Sequence, residues 1–190
     1  MRLLQAFLRR YARREARALL PHVAGGRLLD LGGGEGWVAE ALLALAPQRW
    51  ACAADVGAFG LAPCPYVVYD GARLPFADDA FDTTLISLTL HHVEKPEAVL
   101  DEAVRVTRRR LLVVESVYRN RLDRFWLNLL DGRLNRYRHD GAMNVPLGFR
   151  RPEEWRALFA SRGLRVVATE WLGSPLEHLI HHPLLYVLDK

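Results

Sequence analysis

Leu28-Leu29-Asp30-Leu31-Gly32-Gly33-Gly34-Glu35-Gly36-Trp37 reads as an apolar strand that ends in an acid, opens into a glycine loop and continues as a helix from Glu35. Glycine lacks a Cβ, so Gly32, Gly34 and Gly36 let the backbone turn tightly and approach a ligand closely, beside the free N–H groups of a helix start. The spacing narrows the choice of ligand. A dinucleotide fingerprint wants G-x-G-x-x-G, and counting from Gly32 its third glycine position is Trp37. A phosphate-binding loop wants Lys followed by Ser or Thr after its last glycine, and that pair is also missing.

Outward from this stretch, further acids fall where strands end. Residues 49–54, around Cys52, form a second apolar run that meets Asp55, and Tyr66 to Tyr69 form a third that meets Asp70-Gly71-Ala72-Arg73-Leu74-Pro75-Phe76. Asp78-Asp79-Ala80-Phe81-Asp82 then leads into a fourth run, Thr84 to Leu88, followed by Thr89-Leu90-His91-His92-Val93. A helical segment containing Glu102 to Val106 precedes a fifth strand, Leu111 to Glu115. Each acid has an ordinary use as well: Asp30 can cap a helix, Asp55 and Asp70 can sit in strand-to-helix turns, and Asp82 can close a turn.

In this order the landmarks resemble the class I S-adenosylmethionine-dependent methyltransferases, in particular the small-molecule, type 11-like branch that includes quinone-biosynthesis enzymes. An acid followed by G-x-G-x-G is that family's first motif. Asp82 with His91-His92 is similar to its F-D … L-H-H stretch, and Glu102 to Val106 to its E-x-x-R-V helix. The resemblance is strong from Arg27 to Glu115 and weak elsewhere.

The resemblance implies S-adenosyl-L-methionine as cofactor and S-adenosyl-L-homocysteine as product. It implies cofactor contacts at Asp30, Gly32, Gly33, Gly34, Asp55, Asp70, Gly71, Ala72 and Leu88. Asp55 would take the ribose diol, since two acceptor oxygens match two hydroxyl donors; Asp70 and the amides after it would read the adenine edge, with Ala72 leaving room. The implied activity is in-line methyl transfer to a small-molecule acceptor. Such a reaction asks mainly for alignment and exclusion of water, plus a base where the acceptor must lose a proton. His91 and His92 are the candidate bases, with Glu115 behind them, and either ring could instead simply order its loop. Other readings stay open: a non-catalytic S-adenosylmethionine-binding protein of the same fold, or a methyltransferase directed at RNA or a membrane lipid. The Trp37 position argues against a nicotinamide-dependent oxidoreductase.

A chain of 190 residues with 51% hydrophobic content suits one α/β domain. Alternating strands and helices predict a doubly wound, mostly parallel sheet with ligands at the carboxyl ends of its strands. The resemblance makes this sheet seven-stranded and Rossmann-like, closed by an antiparallel pair from residues 164–171 and 184–188. Within residues 1–190 we expect an N-terminal amphipathic helix over 1–24, a cofactor-binding core over 25–116, a substrate cap over 117–150 and a C-terminal helix and strand pair over 151–190. The sequence shows no signal-peptide pattern or membrane-span-length apolar run, which predicts a cytoplasmic protein. Cys52 and Cys64 make neither a disulfide framework nor a metal cluster. Cys64, between Pro63 and Pro65, precedes the third strand, whereas the nucleophile of cytosine methyltransferases follows the fourth.

Two segments depart from the family pattern. Val56 to Pro65 carries Gly57, Gly60, Pro63 and Pro65, so the helix usual there is expected to shrink to a turn or loop. Arg108-Arg109-Arg110 enters the fifth strand directly, where relatives carry a Pro-Gly-Gly turn.

Substrate choice is expected in the segment Ser116 to Phe149. Phe125, Trp126, Leu129, Leu130 and Leu134 recur near helical spacing, Arg133, Arg136, Arg138 and His139 add charge, and Asp140-Gly141 and Asn144 mark turns. The segment suits a helical cover, a lid over an apolar acceptor, or both. At the N-terminus, Leu3, Leu4, Phe7, Leu8, Tyr11, Ala18 and Leu19 fall on one side of a helix, and Arg2, Arg9, Arg10, Arg13 and Arg17 on the other. That helix is expected to pack on the sheet or over the cofactor. With a net charge of +4, an anionic membrane or RNA is the less favoured partner, and no nucleic-acid-binding module is evident. His178, His181 and His182 suggest structural roles rather than a metal site, because Pro183 stops any helix there. The oligomeric state is not encoded in these patterns.

Overall fold

The computed structural model describes residues 2–138, 147–173, 178 and 181–190, with side chains of the first segment described over 5–130. Seven strands form one sheet in the order β3-β2-β1-β4-β5-β7-β6. They are β1 Arg27–Leu31, β2 Trp50–Asp55, β3 Tyr66–Val68, β4 Phe81–Ser87, β5 Thr107–Ser116, β6 Arg165–Trp171 and β7 Pro183–Asp189. The first five pair in parallel, and β7 runs antiparallel to both β5 and β6. The expected doubly wound, mostly parallel seven-stranded sheet with its antiparallel terminal pair is therefore the fold observed.

Both faces of the sheet are covered, so its central strands read as nearly continuous apolar runs. Helices α1 Arg2–Leu19 and α2 Trp37–Leu45 lie on one face, where Ala16, Leu19, Ala39 and Leu42 pack on Leu28, Leu85, Leu112 and Val187. Helices α3 Pro96–Val106 and α5 Pro152–Ser161 cover the other, where Leu100, Ala103, Trp155 and Phe159 meet Leu29, Phe81, Leu111 and Tyr186. Helix α4 Arg121–Arg138 is the insert expected after the fifth strand. Its Leu127 is buried with Tyr118 and Phe149 in a small separate cluster. No helix among the described residues is long and apolar enough to cross a membrane.

Several boundaries move for physical reasons. Helix α2 starts at Trp37 rather than Glu35, because Gly36 sits at φ +83 as its N-cap. Strand β4 begins at Phe81 and ends at Ser87, since Leu88 turns out of it at φ +50. Strand β5 starts at Thr107, so Arg108-Arg109-Arg110 is strand from the outset. As expected, Val56 to Pro65 contains no helix.

The N-terminal helix is rotated from the face its leucines suggested. Among its described side chains the buried ones are Ala12, Glu15, Ala16 and Leu19, whereas Phe7 is 64% exposed. Small Ala12 and Ala16 let α1 approach closely, and Arg9 lies 4.1 Å over the Trp37 ring. The side chains of Leu3, Leu4, Arg133, Leu134, Arg136 and Arg138, with His139, Asp140, Gly141 and Asn144, lie outside the described residues.

Candidate functional site

From β1 the chain winds outward through β2 and β3, then crosses to β4 and β5 on the other side, so the strand order reverses between β1 and β4. A crevice opens at such a reversal, at the carboxyl ends of the strands. The glycine loop crosses this place. Gly32 and Gly33 donate to the Ala54 carbonyl at 2.8 and 3.3 Å, fastening the loop to the end of β2. Gly32 has φ +72, and a Cβ there would stand 2.3 Å from Thr89 Cγ2, so only glycine lets the loop pass Thr89. Gly34 has φ +53 with open space where its Cβ would be. The loop is thus closed on the protein side at Gly32 and open at Gly34.

The acids at the strand ends have distinct surroundings. Asp30, 1% exposed, accepts from the Ala39 amide at 3.2 Å in the first turn of α2. Burial, and after it the nearby Glu15 carboxylate, pushes its pKa up to about 7 against that hydrogen bond. The helix-capping use open to Asp30 is therefore realised. Asp55 Oδ2 accepts from Gly34 N at 2.9 Å and Oδ1 from Val56 N at 2.7 Å, tying the open part of the loop to the end of β2. Asp70 is exposed and Oδ1 accepts from Ala72 N at 2.8 Å and Arg73 N at 2.9 Å, which holds its carboxyl below the usual range. Gly71, at φ +79, makes the turn that allows this. The Ala72 amide expected at the adenine edge is here bonded to Asp70 itself.

The Glu102-to-Val106 motif explains why the Asp70 loop keeps its shape. Glu102 Oε2 accepts from Leu74 N at 2.9 Å, while Arg105 donates to Phe76 O and Asp78 at 2.8 Å, to Leu74 O at 3.1 Å and to both Glu102 oxygens. Asp82 serves elsewhere. It accepts from Gly26 N and Arg27 N at the opposite end of the sheet and pairs with Arg108.

After β4 the chain is held by a buried acid. Leu88 N donates to Val114 O at 2.8 Å while its φ of +50 turns the backbone out of β4, a conformation costly for a side chain larger than glycine's. Glu115, fully buried at the end of β5, accepts from Thr89 N at 3.2 Å and Leu90 N at 2.7 Å through Oε1. Its Oε2 lies 2.5 Å from His91 Nδ1; a carboxylate only accepts, so this ring nitrogen carries the proton. His91 is 2% exposed and stacks on Phe149 at 4.5 Å, and its carbonyl accepts from Gly148 N at 2.7 Å. His92 is half-buried, its ring 3.9 Å from that of His91.

Two groups at the crevice make contacts that the sequence did not reveal. The Val56 to Pro65 loop replaces a helix by clamping the glycine loop, since Leu61 N and Ala62 N donate to Glu35 O at 3.0 and 2.9 Å. Glu15 reaches from α1 to the end of β4, where Ser87 Oγ donates to its carboxylate. The available signal was its isolation: Glu15 is the single acid in the first 24 residues, among six arginines. The C-terminal histidines have local partners, His182 beside Asp123 at 3.5 Å and His181 Nδ1 beside Ser116 Oγ at 3.3 Å.

Comparison with known proteins places this geometry. Residues 29–113 match the family model for a methyltransferase domain. The demethylmenaquinone methyltransferase of Mycobacterium tuberculosis is 40% identical over 114 residues, covering 56% of this chain and 47% of that protein. The protein of the same name from Mycobacterium sp. strain KMS is 42% identical over 113 residues, covering 56% and 48%. The chain therefore spans about half the length of the curated relatives it matches. Among solved structures, geranyl diphosphate C-methyltransferase from Streptomyces coelicolor A3(2), in complex with S-adenosyl-L-homocysteine, aligns with TM-score 0.71 and 13% identity over 92% of this chain and 74% of that one. The [4+2]-cyclase SpnF aligns with TM-score 0.70 and 16% identity over 94% and 80%. At these identities the likeness is one of fold.

Proposed function

We propose that the chain is a class I S-adenosylmethionine-dependent methyltransferase that transfers a methyl group from S-adenosyl-L-methionine to a small-molecule acceptor. One observation carries the reading: Asp30, Asp55 and Asp70 stand in order at the ends of β1, β2 and β3 around a glycine loop open at Gly34. The donor set fits this cofactor. Carboxylates suit a ligand that brings a sulfonium, an ammonium and a diol, and would repel the phosphates of a dinucleotide.

When bound, the cofactor supplies an electrophilic methyl on sulfur. The protein's share is to bind, orient and exclude water. Gly32, Gly33 and Gly34 form the floor under the amino-acid portion, with Asp30 holding the start of α2 in place behind them. Asp55 takes the ribose diol, exchanging or sharing its bonds to Gly34 and Val56. Asp70, Gly71 and Ala72 frame the adenine edge, and Leu88 walls the crevice from the β4 side.

His91, its proton fixed on Nδ1 by Glu115, offers Nε2 as the acceptor nitrogen of a base. His92, more accessible beside it, is the alternative base. Acceptor choice belongs to the cap over 117–150, which begins beyond the family match. A cytoplasmic setting completes this proposal.

A second reading, a protein of this fold that binds the cofactor without transferring methyl, is favoured by the deep burial of His91 and its stacking on Phe149. Calorimetric titration separates these readings from others. Wild-type protein should bind S-adenosylmethionine and S-adenosylhomocysteine and not NAD, and Asp55→Ala should lose about tenfold or more in affinity. Binding of NAD instead, or of neither, overturns the cofactor assignment. Turnover in a subsequent acceptor screen decides between transfer and binding alone.

A further inference from the structure

Helix α1 carries one acid among its arginines, and that acid points inward. Glu15 is 7% exposed between buried Ala12 and Ala16, although an outward carboxylate would sit in water among Arg13, Arg14 and Arg17. Taking a carboxylate out of water is costly unless a donor or a cation meets it. Its hydrogen-bond partner is the Ser87 hydroxyl, a neutral donor, at the carboxyl end of β4, and the Arg14 guanidinium offsets only part of the cost of burial. Ser87 is next to Leu88, and its carbonyl accepts from Thr89 Oγ1, which also donates to Gly32 O. Glu15 thus stands where the glycine loop meets the end of β4. A second buried carboxylate, Asp30, is near enough that Glu15 disfavours its charge. Burial disfavours the charged forms of both acids, and a cation bound beside the open glycine loop would favour them.

We propose that Glu15 is a cofactor-binding residue, its carboxylate accepting from the ammonium of the cofactor's methionyl portion, with Ser87 holding it in position. This rests on the S-adenosylmethionine reading above and adds to it a residue outside the glycine loop and the strand-end acids. Helix α1 then becomes part of the binding site as well as a cover for the sheet. The charge match also explains the inward acid, which gains a cationic partner when the cofactor is present.

The test compares ligands within one variant. Glu15→Gln keeps the shape and the Ser87 contact while removing the charge. By calorimetry or competition it should weaken S-adenosylmethionine and S-adenosylhomocysteine by similar factors, about tenfold or more. Binding of 5′-methylthioadenosine, which has the nucleoside and no amino-acid portion, should change by less than about twofold. Ser87→Ala, which keeps the carboxylate, should weaken the two amino-acid-bearing ligands only severalfold. Equal losses for all three ligands in Glu15→Gln would indicate a purely structural role and overturn the proposal. Loss confined to S-adenosylmethionine would shift the contact to the sulfonium and also overturn it, as would no loss at all. Failure of the wild-type protein to bind either amino-acid-bearing ligand would instead refute the cofactor reading on which it rests.

Discussion

Asp30 shows how a residue proposed for the site can weaken the fold that carries it. Its folded-state pKa of about 7 stands above the ordinary 3.8, chiefly because it is buried, with Glu15 from α1 and Asp55 from β2 adding repulsion and the Ala39 amide opposing them. Between those two values the folded chain holds a proton that the unfolded chain releases, so stability falls as pH rises from about 4 to about 7 and levels off above. The full displacement is worth on the order of 4 kcal/mol. Asp30→Asn, which keeps an oxygen for the Ala39 amide, should remove much of this slope and be the more stable protein at pH 8 without cofactor. Urea unfolding at pH 5 and pH 8 measures it, and an unchanged slope would contradict the burial argument. Glu115 predicts the opposite kind of effect. Glu115→Ala leaves the Thr89 and Leu90 amides and the His91 ring without their acceptor, at a cost of about 3 kcal/mol seen as a lower Tm. Of these residues, Asp30 was legible in the sequence because it ends an apolar run before glycines. Glu15 was not, because a helical repeat tells which residues share a face and not which face a partner will cover.

At the scale of elements, motifs that read as landmarks turn out to be fasteners. Glu102 and Arg105, recognisable by resemblance to the family's E-x-x-R-V helix, bind the loop from Leu74 to Asp78 through backbone carbonyls, an amide and a carboxylate. Removing the guanidinium in Arg105→Ala should cost about 2 kcal/mol of stability. It should also raise the Kd for cofactor severalfold by loosening the Asp70 turn, while Arg162→Ala, which loses an ion pair with half-exposed Asp101, should alter neither. Thermal unfolding and titration of both variants check this. The loop from Val56 to Pro65 illustrates the converse. Its glycines and prolines announced the missing helix, yet its bonds from Leu61 and Ala62 to Glu35 depend on where the glycine loop comes to rest, which no local pattern contains. Strand ends failed for a similar reason: β5 absorbs three arginines because pairing with β4 and β7 outweighs their weak strand preference.

At the scale of the whole molecule, we propose that cofactor and acceptor duties fall on different parts of the chain. The strands and loops through Glu115 shape the crevice, and the family match also ends there, at residue 113. The following insert leaves and rejoins the core at nearly one place, because Val117 and Arg150 pair as a parallel bridge. Between them, among the described side chains, α4 buries Leu127 against Tyr118 and Phe149, while Leu122, Phe125 and Trp126 remain exposed. Because its ends already meet, replacing residues 121–146 by a short Gly/Ser linker should cost little loop-closure entropy. The shortened protein should fold with Tm lowered only by the loss of the small Leu127 cluster. It should bind S-adenosylmethionine with nearly wild-type affinity, since none of Asp30, Asp55, Asp70 and the glycine loop bonds to the removed segment through a contact described above. Turnover of any acceptor found for the full chain should disappear. A shortened protein that is folded yet fails to bind the cofactor would show that the insert shapes the crevice itself, whereas one that still turns over the acceptor would place substrate selection within the core.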